Sequence, residues 1–152
     1  MVRDMADLPI GKTQKLACVL ADDHDQLLAA TESLLLDEGI QVLGTARTGL
    51  GALRLLEEQP TTVVVLDLRL PDLDGLEVAR RVAEIARKKT AVVIYASDAD
   101  ERVVAEALDA GVRAVVLKDG APDNLLTALS SVAADEIYVD PQLRHSGSEE
   151  SS

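Results

Sequence analysis

Short aliphatic runs alternate with stretches of helical spacing from Leu16 to about Ala134. LACVLA (Leu16 to Ala21) gives way to HDQLLAATESLLLDEG, in which Leu27, Leu28, Leu34 and Leu35 recur at helical intervals until Gly39 supplies a stop. IQVLGTA (Ile40 to Ala46) reads as a half-covered strand, and Thr48 and Gly49 then turn the chain into LGALRLLEEQ, which Pro60 closes. TVVVLD (Thr62 to Asp67) is β-branched and aliphatic, the pattern of a central parallel strand covered on both faces. The helical segment GLEVARRVAEIARK, the strand AVVIYA (Ala91 to Ala96), the helix DERVVAEALDA ending at Gly111 and the strand AVVLK (Ala114 to Lys118) follow. Pro122 opens a last helix, PDNLLTALSSVAA, where its missing N–H costs little.

This alternation predicts an α/β fold of five βα units: a parallel sheet with helices on both faces and right-handed crossovers. The functional crevice of such a sheet lies at the carboxyl ends of its strands. Asp22, Asp23, Asp67 and Lys118 all fall at predicted strand carboxyl ends, so one rule brings them to one edge.

At 152 residues, 47% of them hydrophobic, the chain has the material for one domain with a full core. No apolar run approaches the roughly 20 residues that span a membrane. The opening MVRDMADLPIGKTQK carries Asp4 and Asp7 and no secretory apolar stretch, and a single cysteine, Cys18, builds no disulfide framework. A cytoplasmic protein is expected, with Cys18 a small core residue. A net charge of −12 and an aromatic content of 1%, Tyr95 and Tyr138 alone, argue against nucleic-acid binding by this chain. Residues 1–15 are expected to form a flexible N-terminal segment and 135–152 a tail of little periodicity, with HSGSEESS disordered.

Each charged residue has a plain local explanation. Asp22, Asp23 or Asp25 suits a helix N-cap, Asp67 a loop acceptor, Asp72 and Asp74 turn formers, and Lys118 a solvated strand end. Their convergence changes the reading. Carboxylates about 4 Å apart repel by roughly 4 kcal/mol at an effective dielectric near 20, so a cation must offset them. An oxygen-only donor set suits a hard ion, most simply Mg²⁺. A carboxylate nucleophile beside such an ion and a lysine is a phosphoryl-acceptor arrangement, in which attack on phosphorus gives an acyl phosphate.

From Leu16 to about Ala134 the chain resembles the receiver domains of two-component response regulators. The acidic pair Asp22 and Asp23 in ADDH, Asp67 ending the third strand, Pro71 and Gly75 in the loop after it, and Lys118 in LKD carry the resemblance. ADDH, the spacing from Asp67 to Gly75, and AGVRAVVLKD look most like the NarL/FixJ (LuxR-type) class. DEIYVDPQL looks like the start of the linker that precedes a DNA-binding domain in that class, a domain not expected within this chain.

The resemblance implies a flavodoxin-like (βα)5 fold, residues 16–134, with sheet order 2-1-3-4-5. It implies Asp67 as phosphoacceptor from a sensor histidine kinase and Lys118 as its partner. Mg²⁺ would be held by Asp23, Asp67 and the backbone carbonyl of Arg69, with Asp22 acting largely through water. The output would be an altered helical surface that biases homodimerisation or contact with an effector, and DNA would be reached only through that effector.

Two positions depart from the family pattern. Ala96 stands where a Ser or Thr usually ends the fourth strand, with Ser97 one residue beyond and expected to point away. Val115 stands where the fifth strand usually carries a Tyr or Phe. A receiver-like interaction module that works without phosphorylation therefore remains the alternative. A haloacid-dehalogenase phosphatase is disfavoured because Arg69 occupies the position of its general acid, and an EF-hand because Leu70 and Arg81 occupy ligand positions.

Overall fold

Val63–Leu66, the four consecutive aliphatic residues most deeply enclosed, sit at the middle of a parallel sheet. The computed structural model describes residues 16–85 and 90–143. Its elements run β1 (Ala17–Ala21), α1 (Asp25–Asp37), β2 (Gln41–Ala46), α2 (Gly49–Glu58), β3 (Val63–Leu66), α3 (Gly75–Ile85), β4 (Ala91–Ala96), α4 (Glu101–Asp109), β5 (Ala114–Leu117), α5 (Pro122–Ala133) and β6 (Tyr138–Val139). The sheet order is β2-β1-β3-β4-β5-β6, every neighbouring pair parallel.

The five strands and their order agree with the sequence reading, and a sixth is added at the edge. Tyr138 and Val139 pair with Ala114 and Val115. Two residues are too short to display a period, so this strand is specified by the edge it meets rather than by its own pattern. The sheet thus continues beyond Ala134, the expected limit of the domain. The expectations for residues 1–15 and for HSGSEESS lie outside the described residues.

Alternation along the strands sends side chains into two cores. Val64, Leu66, Val92, Ile94, Ala96 and Val115 pack under α2, α3 and α4, whereas Val63, Val65, Val93, Tyr95 and Val116 pack under α1 and α5. Each buried valine contributes about 2 kcal/mol relative to exposure, which is why uninterrupted aliphatic strands select the sheet interior. Cys18 is fully enclosed, and burial pushes its thiol up to about 12, as suits a packing residue.

The helix ends are set by several kinds of contact. Thr48 accepts the Gly51 N–H (2.9 Å) at the start of α2, and Asp100 accepts the Val103 N–H (3.0 Å) at the start of α4. His24, exposed, stands at the start of α1 without a side-chain cap. Asp22, Asp23 and Asp25 are therefore not capping that helix. Gly111 follows α4 with φ +96°, a left-handed conformation that favours glycine.

Candidate functional site

The main chain brings the charged residues together before any side chain is considered. Asp22, Asp67 and Lys118 each follow the last residue of a strand, and each donates its N–H to the last carbonyl of a neighbouring strand. Asp22 donates to Ala46 (3.0 Å), Asp67 to Ala21 (2.9 Å) and Lys118 to Ala96 (2.7 Å). The parallel ladder thus continues one step past the strands and fixes three side chains along one edge.

Lys118 reaches across that edge. Its Nζ lies 2.6 Å from Asp22 Oδ2 and 3.3 Å from Asp67 Oδ2, and its side chain is only 7% exposed. Asp22 is buried, and its other oxygen accepts the His24 N–H at 2.9 Å, so both its oxygens are engaged. Asp23 is exposed and takes no hydrogen bond or ion pair among the described residues. One carboxylate oxygen from each of Asp22, Asp23 and Asp67 lies within 4.8 Å of the others.

Charge does not balance within this group. Three carboxylates face one ammonium, and every donor atom is oxygen. Such a set fits a hard divalent cation, with Asp23 holding the least committed carboxylate. Burial raises the Asp67 carboxyl above its ordinary range; Lys118 pulls it down and Asp22 pushes it up, with the balance remaining upward.

These residues wall a cavity of about 330 Å³ that also includes Arg69, Ser97 and Asp98. Larger cavities of about 740 Å³, between α1, β2 and α2, and about 640 Å³, at the opposite end of the sheet, gather no comparable carboxylate group. Arg69 is exposed, and its N–H stands 3.5 Å from Asp67 Oδ1, a distance at the weak limit of a hydrogen bond.

The loop after Asp67 is shaped by glycine and two further acids. A Cβ at Gly75 would stand 2.6 Å from the Asp67 carbonyl oxygen, so only glycine allows the loop to fold back this closely. The Gly75 N–H then donates to the Leu68 carbonyl at 2.7 Å. Asp72 and Asp74 do more than form turns. Asp74 accepts the Glu77 N–H (2.8 Å) and caps α3, while Asp72 accepts the N–H groups of Gly49 (2.8 Å) and Leu50 (2.9 Å) and so caps α2 from a distant loop.

Ala96 is fully buried in the same core as Val115 and stays out of the cavity wall. Ser97 is among the residues that line the cavity. β4 ends at Ala96, so strand alternation no longer dictates the direction of the next residue. Tyr95 packs in the opposite core, as its parity predicts. Sequence reasoning missed Asp98, although its place just after β4 puts it at the same sheet edge.

Residues 18–130 match the family described as Response regulator receiver domain. The chain is 33% identical over 126 residues to the nitrate/nitrite response regulator protein NarL of Escherichia coli K12, covering 82% of this chain and 58% of that protein. It is 34% identical over 109 residues to the uncharacterized transcriptional regulatory protein YhcZ of Bacillus subtilis, covering 71% and 50% respectively. The chain therefore spans about half the length of these curated relatives. Among solved structures, it is similar to a LuxR-family two-component response regulator from Aurantimonas sp., with a TM-score of 0.84 and 25% identity over 89% of this chain and 96% of that one. The signal receiver domain of a NarL regulator from Mycobacterium tuberculosis gives a TM-score of 0.73 and 29% identity, covering 79% and 97%. With the acidic edge, its lysine and this match over most of its length, the chain belongs to the receiver domain family of two-component response regulators.

Proposed function

We propose that this chain accepts a phosphoryl group on Asp67 from the phosphohistidine of a sensor histidine kinase or from a small acyl phosphate, in the cytoplasm and with Mg²⁺. The observation that carries the reading is the lysine shared between Asp22 and Asp67, with the uncommitted Asp23 beside them. An Asp67 oxygen attacks phosphorus, a new O–P bond forms, and the bond to the donor's imidazole nitrogen or carboxylate oxygen breaks. Lys118 is placed to pair with negative charge on the transferring group.

Asp22, Asp23, Asp67 and the Arg69 carbonyl would hold the Mg²⁺, which supplies charge neutralisation at the phosphoryl oxygens. The phosphorylated form would present an altered helical surface for homodimerisation or for an effector that controls transcription. The names of the relatives support that output. Arg69, exposed and among the residues lining the cavity, is assigned to tuning phosphoryl lifetime. Identical decay of phosphorylated wild type and Arg69→Ala removes that role.

A second reading is favoured by the burial of Ala96 and Val115, which supply neither the hydroxyl nor the aromatic ring of the usual switch. In it, the fold serves as an interaction module independent of phosphorylation. Incubation with Mg²⁺ and acetyl phosphate, read by intact mass, separates the two. Wild type gains one phosphoryl mass and Asp67→Asn gains none under the first reading; no gain on wild type selects the second.

A further inference from the structure

Asp140 is 1% exposed, yet it belongs to the segment that leaves α5 and lies beyond the last helix of the expected domain. Both of its carboxylate oxygens are used. Oδ2 accepts the Leu117 N–H at 3.0 Å and Oδ1 accepts the Gln142 N–H at 3.0 Å. Its own N–H donates to the Val115 carbonyl at 2.8 Å, and the Leu143 N–H returns to the Asp140 carbonyl at 3.0 Å. Leu143 is buried in the core that holds Ala96 and Val115, which anchors the far side of the turn.

These bonds grip β5 at Val115 and Leu117, the latter immediately before Lys118. The Leu117 N–H is held from the β6 side by the Asp140 carboxylate, and the next N–H, that of Lys118, is held from the β4 side by the Ala96 carbonyl at 2.7 Å. The backbone from which the lysine springs is thus clamped from both sides. Beyond Val139 no ladder carbonyl is assigned to meet Leu117, and the carboxylate takes that place. A buried carboxylate spent on two main-chain donors is a costly way to close an edge unless the position it fixes matters.

We infer that Asp140 is a positioning residue for Lys118, and that docking of residues 138–143 on β5 is thereby coupled to phosphorylation of Asp67. The inference rests on the phosphoacceptor reading above and deepens it. It gives the chain after α5 a route to the site that requires neither a hydroxyl at Ala96 nor a ring at Val115. Coupling of this kind is reciprocal: if the docked segment favours the phosphorylated site, the phosphoryl group favours docking.

The test uses the full chain with Mg²⁺ and acetyl phosphate, following mass gain for wild type, Asp140→Ala and Asp140→Asn, each checked as folded by far-ultraviolet circular dichroism. Asp140→Ala is expected to accept the phosphoryl group about tenfold or more slowly, because a small displacement of a charge-pairing group is heavily penalised. Asp140→Asn, whose single carbonyl oxygen satisfies one of the two N–H groups, should be intermediate. In wild type, phosphorylation should slow hydrogen exchange at the Leu117 and Gln142 amides, a response that a purely structural clamp would not give. Equal mass-gain rates for wild type and Asp140→Ala, or amide exchange indifferent to phosphorylation, overturn the coupling alone. Absence of mass gain on wild type overturns the phosphoacceptor reading and the coupling with it. If Asp140→Ala does not fold, Asp140→Asn and the wild-type exchange measurement decide.

Discussion

Replacing Lys118 with methionine keeps the aliphatic stem and removes the one ammonium that faces three carboxylates. At an effective dielectric near 20, unit charges separated by 2.6 and 3.3 Å attract by about 6 and 5 kcal/mol. Desolvating a lysine and an aspartate whose side chains are 7% and 8% exposed offsets much of that sum. What the substitution exposes is the residue left behind: Asp22, buried with no counter-charge and facing Asp67. Removing one partner of a buried pair costs about 3–5 kcal/mol. Lys118→Met in metal-free buffer at neutral pH is therefore expected to lose about 3 kcal/mol.

With no tryptophan in the chain, urea unfolding is best followed by far-ultraviolet circular dichroism. The midpoint should fall by about 1.5–2 M with little change in slope. Adding Asp22→Asn to Lys118→Met should return at least about 1 kcal/mol, because the stranded charge is then gone. Burial already raises the Asp67 carboxyl, and Lys118→Met removes the charge that pulls it back down. That penalty is present above the folded pKa and disappears as pH falls below the unfolded one, so the deficit against wild type should shrink in acid. A midpoint within about 0.3 M of wild type, or a second substitution that destabilises further, refutes the reasoning.

Asp67→Asn removes a carboxyl already held above its ordinary range, so metal-free stability at pH 7 should rise, and the stabilisation expected of wild type on adding Mg²⁺, about 1.4 kcal/mol at ten times the dissociation constant, should be lost or much reduced, as thermal unfolding with and without Mg²⁺ would read. Asp72→Ala removes the distant cap of α2 and should cost about 1 kcal/mol. Its small burial raises the Asp72 carboxyl, but bonds from Leu50, Gly49 and Leu73 N–H together outweigh that and hold it low. The capping stability is therefore present above the unfolded pKa and fades as pH falls through the folded one, so wild type and Asp72→Ala should converge in acid urea titrations. Gly75→Ala drives a Cβ to 2.6 Å from the Asp67 carbonyl oxygen; the backbone must shift, costing about 1–3 kcal/mol and slowing phosphoryl acceptance, as denaturation and intact mass together would report.

The sequence made the central strands legible because VVVL and AVVL, enclosed on both faces, tolerate little but aliphatic residues. Asp22, Asp23, Asp67 and Lys118 were legible because topology alone brings strand carboxyl ends together. Contacts that depend on tertiary meetings were not. Asp72 reads as a turn residue until α2 is placed beside its loop, 23 positions away in sequence from Gly49. Asp140 reads as a linker residue until the edge of β5 supplies its partner, and Tyr138–Val139 become a strand only against that edge. Ser97 lies one step beyond the end of β4, where strand parity no longer sets a direction, so sequence alone could not orient it.

The N–H groups of Asp22, Asp67 and Lys118, each bonded to the terminal carbonyl of an adjoining strand, make the spacing of this edge a property of the main chain. The frame is therefore separable from the groups it carries. Other donor sets, such as an imidazole in place of Asp67 or an amide in place of Asp22, would be presented at nearly the same separations. The edge thus provides a template on which the donor set can be rewritten by side-chain exchange, without redesign of the fold beneath it.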